Sequence, residues 1–92
     1  SFDFAVYSPQ NNKLKLFETN FYNGRGSKLK AVCGEFRNLN DELKVQNIDF
    51  VWVTDGLGWH TAKRPLEEAF NHNDYVFNLY MLDNGALNDL SW

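Results

Sequence analysis

Ninety-two residues, 43% of them apolar and 16% aromatic, suffice for one modest core and exclude a second domain. No apolar run approaches the roughly 20 residues that cross a bilayer, so no membrane partner is expected, and Ser1-Phe2-Asp3-Phe4 lacks the basic and apolar regions of a secretion signal. A net charge of -3 argues against strong non-specific nucleic-acid binding, and the lone Cys33 excludes an internal disulfide or a thiolate zinc cluster and favours a reducing cytoplasm.

The first residues already read as a strand interior, so a truncated domain spanning 1–92 is expected. Apolar surface bared by such a truncation would favour self-association as a homodimer or a missing partner chain. Residues 2 to 8 alternate, with Phe2, Phe4 and Val6 on one side and Asp3, Ala5 and Tyr7 on the other. Pro9-Gln10-Asn11-Asn12 is turn chemistry. Lys13 to Tyr22 alternates again, with Lys13, Lys15, Phe17, Thr19 and Phe21 opposite Leu14, Leu16, Glu18, Asn20 and Tyr22, which predicts an antiparallel hairpin.

Asn23 to Gly26 breaks the strand, and Ser27 is placed to cap a helix with apolar residues at 29, 32, 33, 36, 39 and 43, ending near Gln46-Asn47. Ile48 to Val53 is a nearly continuous apolar run, as in a strand buried on both faces. A glycine-rich loop, Thr54 to Gly58, follows it. Thr61 and Pro65 mark the start of a second helix carrying Leu66, Ala69 and Phe70, and Tyr75 to Leu82 reads as a last strand before a turn-like tail. The expected fold class is α/β: a mixed sheet whose antiparallel hairpin feeds two right-handed crossover helices, with later strands parallel to the second.

The hairpin makes a chemical prediction. With the turn centred between Gln10 and Asn11, opposed residues have numbers totalling 21, so Asp3 lies across from Glu18 with Cβ atoms roughly 4.5–5.5 Å apart. Such carboxylates repel unless a cation lies between them, and magnesium prefers one or two carboxylates completed by water and phosphate. Strand periodicity puts Asn20 on the same face, where its amide can donate to a phosphate oxygen or orient water. Paired acids on a solvent-facing hairpin often carry no function, and a one-residue slip of the turn would put Asp3 and Glu18 on opposite faces.

Asp3, fourteen intervening residues, then Glu18-Thr19-Asn20 on a strand followed by a helix resembles the PD-(D/E)XK nuclease core. Phe2-Asp3-Phe4, Glu18-Thr19-Asn20-Phe21-Tyr22-Asn23, Gly26-Ser27-Lys28-Leu29, Phe50-Val51-Trp52-Val53-Thr54-Asp55-Gly56 and Gly58-Trp59 resemble type II restriction endonucleases of the DpnII and MboI kind, over about residues 2 to 82. The resemblance implies a restriction-endonuclease-like core that cleaves double-stranded DNA at GATC in the bacterial cytoplasm, as part of a restriction-modification system. It implies magnesium, with manganese as a substitute, held by Asp3 and Glu18. Asn20 stands where the wider superfamily has lysine, and Lys28 is the candidate for the missing positive charge. Such enzymes are longer, so this chain corresponds to a carboxyl-terminal part. The alternatives are an inactive remnant that binds DNA or self-associates, and a repair or resolvase-type nuclease.

Residues 13 to 37 hold six cations (Lys13, Lys15, Arg25, Lys28, Lys30 and Arg37) against Glu18 and Glu35, a local balance of +4 that leaves -7 elsewhere. A solvated charged face is the commoner explanation of such a stretch, ahead of a phosphate-binding surface. Asp55 reads as a turn former before Gly56, His60 and His72 as surface residues without metal-ligand spacing, and Trp52 as core rather than a stacking platform.

Overall fold

In the computed structural model the described residues are 2–24 and 27–92, the side chain of Ser27 excepted. The capping role expected of Ser27, and Arg25, therefore lie outside them. A four-stranded sheet has the order β1-β2-β3-β4, where β1 is Phe4–Ser8, β2 Lys13–Phe21, β3 Ile48–Asp55 and β4 Tyr75–Phe77. β1 is antiparallel to β2, while β3 is parallel to β2 and β4 to β3, the mixed α/β arrangement that the hairpin and crossovers predict.

The hairpin turn occupies residues 9–12, with Asn12 at φ 52°. Every pair from Phe4↔Phe17 to Ser8↔Lys13 has numbers totalling 21, the register expected from a turn centred between Gln10 and Asn11. Tyr7 helps to close the turn by donating its hydroxyl to Asn12 Oδ1 at 2.8 Å.

Helix α1, Ser27–Val45, buries Leu29, Cys33 and Leu43 and packs Val32, Phe36 and Leu39 beside them, the stripe that its 3.6-residue period dictates. Asn47, at φ 61°, takes the left-handed conformation that ends helices, and its N–H donates to Lys44 O at 3.0 Å. A 3₁₀ turn, Leu57–Thr61, leads to α2, Lys63–His72. Pro65 is its third residue, within the first turn, where a missing N–H costs no intrahelical bond. α1 packs against α2 and β3, and the core between helices and sheet contains Phe50, Trp52, Trp59, Ala69 and Val76.

β3 is buried on both faces from Phe50 to Thr54. The face away from the core carries Lys15, Phe17, Val51 and Val53, all buried, and the carboxyl-terminal residues return over part of it. Lys15 is 0% exposed: its ammonium pairs with Asp49, donates to the Ser91 carbonyl, and lies 4.4 Å from the centre of the Trp92 ring.

Two expectations are corrected. Phe2 does not share a face with Phe4. It packs edge-on against Phe50 in the core at 6.2 Å, while Phe4 stacks on Phe17 on the opposite face at 5.0 Å, because the chain bends at Asp3 and the alternation begins only at Phe4. The last strand stops at Phe77 rather than Leu82. Asn78 caps a short helix, α3, Leu79–Asp83, by accepting the Met81 N–H at 2.8 Å, and Asp55 accepts the Leu79 N–H at 3.0 Å. A second 3₁₀ turn, Ala86–Asp89, follows.

Candidate active site

The acids expected to work together sit where β2 approaches its carboxyl end and the chain enters β1. In the parallel ladder Glu18 is level with Trp52 and Asn20 with Thr54, so both side chains belong to the helix-covered face, and both are half-buried. Asp3 lies just before β1, and its N–H donates to the Phe17 carbonyl at 3.1 Å, which ties it to the stretch of β2 leading into Glu18.

Asp3 Oδ2 accepts the backbone N–H of Thr19 at 2.7 Å and its hydroxyl at 3.0 Å. These bonds, the backbone one foremost, hold the Asp3 carboxyl below the usual aspartate range. Glu18 shifts the other way. Partial burial pushes its carboxyl up, the neighbouring charge of Asp3 adds to this and Glu35 contributes less, while the Asp3 backbone N–H opposes the rise. The environments thus separate two adjacent acids: Asp3 is held ionised and Glu18 resists ionisation.

Asn20 Oδ1 accepts the indole N–H of Trp52 at 2.8 Å. One strand over, Thr54 Oγ1 accepts the indole N–H of Trp59 at 2.9 Å. Lys28 is exposed in the first turn of α1 and makes no hydrogen bond or ion pair with Asp3, Glu18 or Asn20. The structure therefore brings Asp3, Glu18 and Asn20 to one end of β2 without a direct contact from Lys28.

The donor set fits a hard cation. Among the described residues no group of three or more His, Cys, Asp and Glu side chains is placed to hold a metal. Two carboxylates are nevertheless what magnesium takes from a protein when water and phosphate supply the rest. Among the described residues Asp3 Oδ1 accepts no hydrogen bond and Glu18 forms no salt bridge, so both acids keep ligating capacity.

The sequence matches the DpnII restriction endonuclease family over residues 1–89. The chain belongs to that family. Over 91 residues, 97% of this chain, it is 58% identical to the type II restriction enzyme LlaDCHI of Lactococcus lactis subsp. cremoris and 50% identical to MjaIII of Methanocaldococcus jannaschii. It is 38% identical over 90 residues to the type II restriction enzyme DpnII of Streptococcus pneumoniae. The chain spans 30–31% of the length of these three relatives. No solved structure matches it.

In this DpnII-family chain Asp55 is a turn former: Oδ1 accepts the Gly56 N–H at 2.8 Å and Oδ2 the Leu79 N–H. His60 and His72 are exposed, and His72 Nε2 lies 2.8 Å from Asp41 Oδ1. A cleft of about 370 Å³ opens beside Thr54, between α2 and β4, with Leu66, Phe70, Phe77 and Met81 among its walls and neither Asp3 nor Glu18 lining it. Sequence reasoning missed three side chains. Thr19 orients Asp3, Trp52 engages Asn20 and Glu35 adds charge near Glu18. Only the position of Thr19 between Glu18 and Asn20 signalled any of these, since the other two meet the site through tertiary packing.

Among the described residues no helix is long and apolar enough to cross a membrane.

Proposed function

We propose that this chain forms the catalytic core of a type II restriction endonuclease that hydrolyses phosphodiester bonds of double-stranded DNA at GATC, with magnesium, or manganese in its place, held by Asp3 and Glu18. The observation that carries the reading is the pair itself, an aspartate whose carboxyl is held low by Thr19 beside a half-buried glutamate that forms no salt bridge among the described residues. A divalent ion bound there would offset charge on the scissile phosphate and acidify water nearby.

The chain's own groups divide the remaining work. Asp3 presents Oδ1, because Oδ2 is anchored by Thr19. Glu18 completes the carboxylate pair. Asn20 donates its amide to a phosphate oxygen or to the attacking water, and Lys28 supplies positive charge to the DNA backbone. Membership of a restriction enzyme family supports a restriction-modification role in the cytoplasm.

Glu18→Ala tests the reading. Cleavage of a GATC duplex and manganese-induced broadening of resonances around Asp3 should both disappear while the fold is retained, and unaltered broadening would overturn the assignment of the acids. The exposed Phe4 and Val6 on the edge strand β1 favour a second reading, a self-associating, homodimeric or DNA-binding module without catalysis. Metal binding without nicking, together with a concentration-dependent dimer, would select it.

A further inference from the structure

Trp52 is 0% exposed and locked in the core by edge-on contacts with Phe36, at 4.8 Å and 87°, and Trp59, at 5.8 Å and 74°. Its indole N–H is a donor only, so the atom of Asn20 that faces it must be the acceptor, Oδ1. A planar amide with its oxygen fixed has its nitrogen fixed too. Among the described residues Asn20 Nδ2 has no hydrogen-bond partner, yet it is absent from their buried unpaired atoms, where Asn73 Oδ1 stands alone. Nδ2 therefore reaches solvent at the end of β2 that carries Glu18.

We propose that Trp52 is a positioning residue: by donating its indole N–H to Oδ1 of Asn20 and holding that oxygen inward, it dedicates the amide to donation, with Nδ2 aimed at a non-bridging oxygen of a bound phosphodiester. The inference rests on the nuclease reading of Asp3, Glu18 and Asn20. An amide free to rotate would present oxygen to the phosphate in half of its orientations, and two acceptors repel. The buried indole removes that orientation before DNA arrives, which is preorganisation of a donor by a group that never touches the substrate.

The test uses the ¹⁵N-labelled chain, a GATC-containing duplex and calcium, with binding as the readout alongside cleavage in magnesium. In the unsubstituted protein the Asn20 side-chain NH₂ signals should show a contact with the Trp52 indole proton and should shift when duplex is added. Asn20→Ala should weaken duplex binding about 10-fold or more, as expected for losing a hydrogen bond to a charged group. Trp52→Phe should weaken it severalfold, and Trp52→Phe combined with Asn20→Ala should be no weaker than Asn20→Ala alone, because both act through one amide. NH₂ signals that stay fixed on duplex addition would overturn the proposal in the unsubstituted protein, whatever the stability of Trp52→Phe. Additive losses, or a Trp52→Phe protein that binds normally while Asn20→Ala does not, would overturn the positioning role and leave the site intact. If Glu18→Ala and Asn20→Ala both bind and cleave normally, the nuclease reading falls as well.

Discussion

Asp3 Oδ2 accepts both the backbone N–H and the hydroxyl of Thr19, at 2.7 and 3.0 Å, so the acid before β1 is anchored to the residue after Glu18. The bonds stabilise the ionised form and lower the Asp3 pKa. A carboxyl whose folded pKa is depressed contributes stability above its unfolded value and loses it as pH falls through the folded one. Thr19→Val keeps the β-branched shape and the larger, backbone bond while deleting the hydroxyl. In this variant Asp3 should titrate higher than in the unsubstituted protein yet still below an ordinary aspartate, with a smaller loss of stability in acid. A side-chain carboxyl NMR titration reads the first change and thermal unfolding across pH the second.

Glu18 should make the metal-free protein less stable than it could be. Its folded pKa is raised, by burial first and by Asp3 second, so the folded state binds more protons than the unfolded chain between the two pKa values. Stability therefore falls as pH rises through that window and stays lower above it. Glu18→Gln should remove the fall and stabilise the protein at neutral pH by about 0.2–1 kcal/mol, the range of a cross-strand charge pair. Magnesium should stabilise the unsubstituted protein and not the variant. Denaturant unfolding with and without the ion checks both statements, and a destabilised Glu18→Gln protein would show that the repulsion is not felt.

The contrast between these acids and their neighbours marks where sequence reading stops. Periodicity exposed β2, α1 and β3, and turn chemistry at 9–12 fixed the hairpin register, because those signals are local. The bend at Asp3 was hidden, since Phe2, Phe4 and Val6 alternate whether or not the chain continues straight. So was the end of β4, where the apolar run Tyr75 to Leu82 suits a strand until Asn78 is seen to cap α3. Lys15 reads as one more surface cation until β3 brings Asp49 into register beside it. Asn20 and Trp52, 32 residues apart, likewise meet only through the parallel pairing of β2 with β3.

The same burial changes what the basic stretch can do for DNA. Lys15 is enclosed, Lys13 pairs with Asp49 at 3.5 Å, and Arg37 pairs with Glu68 at 3.4 Å. Lys28 and Lys30 are exposed and have no ion pair among the described residues. Duplex affinity should therefore vary gently with salt, since each neutralised phosphate adds about -0.9 to the slope of log affinity against log salt. Lys28→Ala should make that slope about 1 unit shallower and weaken binding to all sequences alike. Titrations at several salt concentrations, with a GATC duplex and a scrambled one, measure it. An unchanged slope would remove Lys28 from the DNA surface.

Gly58 should be intolerant of any side chain. Its N–H donates to the Tyr22 carbonyl at 2.7 Å, and an added Cβ would lie 2.4 Å from Gly24 O and 2.7 Å from Tyr22 O. Both obstacles are backbone, so no rotamer change relieves them. Tyr22 is two residues past Asn20, and its ring meets Trp59 edge-on at 5.6 Å, so the displaced segment leads straight back to the candidate site. Gly58→Ala should cost about 1–3 kcal/mol, as overpacking does, and should lower DNA affinity through movement of Asn20 without altering any group that contacts DNA. Leu57→Ala is the control, because Leu57 is 70% exposed and its truncation should change neither stability nor binding. Unfolding curves for the two variants, with the Asn20 amide shifts as a local reporter, decide the matter. A Gly58→Ala protein as stable as the Leu57→Ala control would show that the loop does not hold the end of β2 in place.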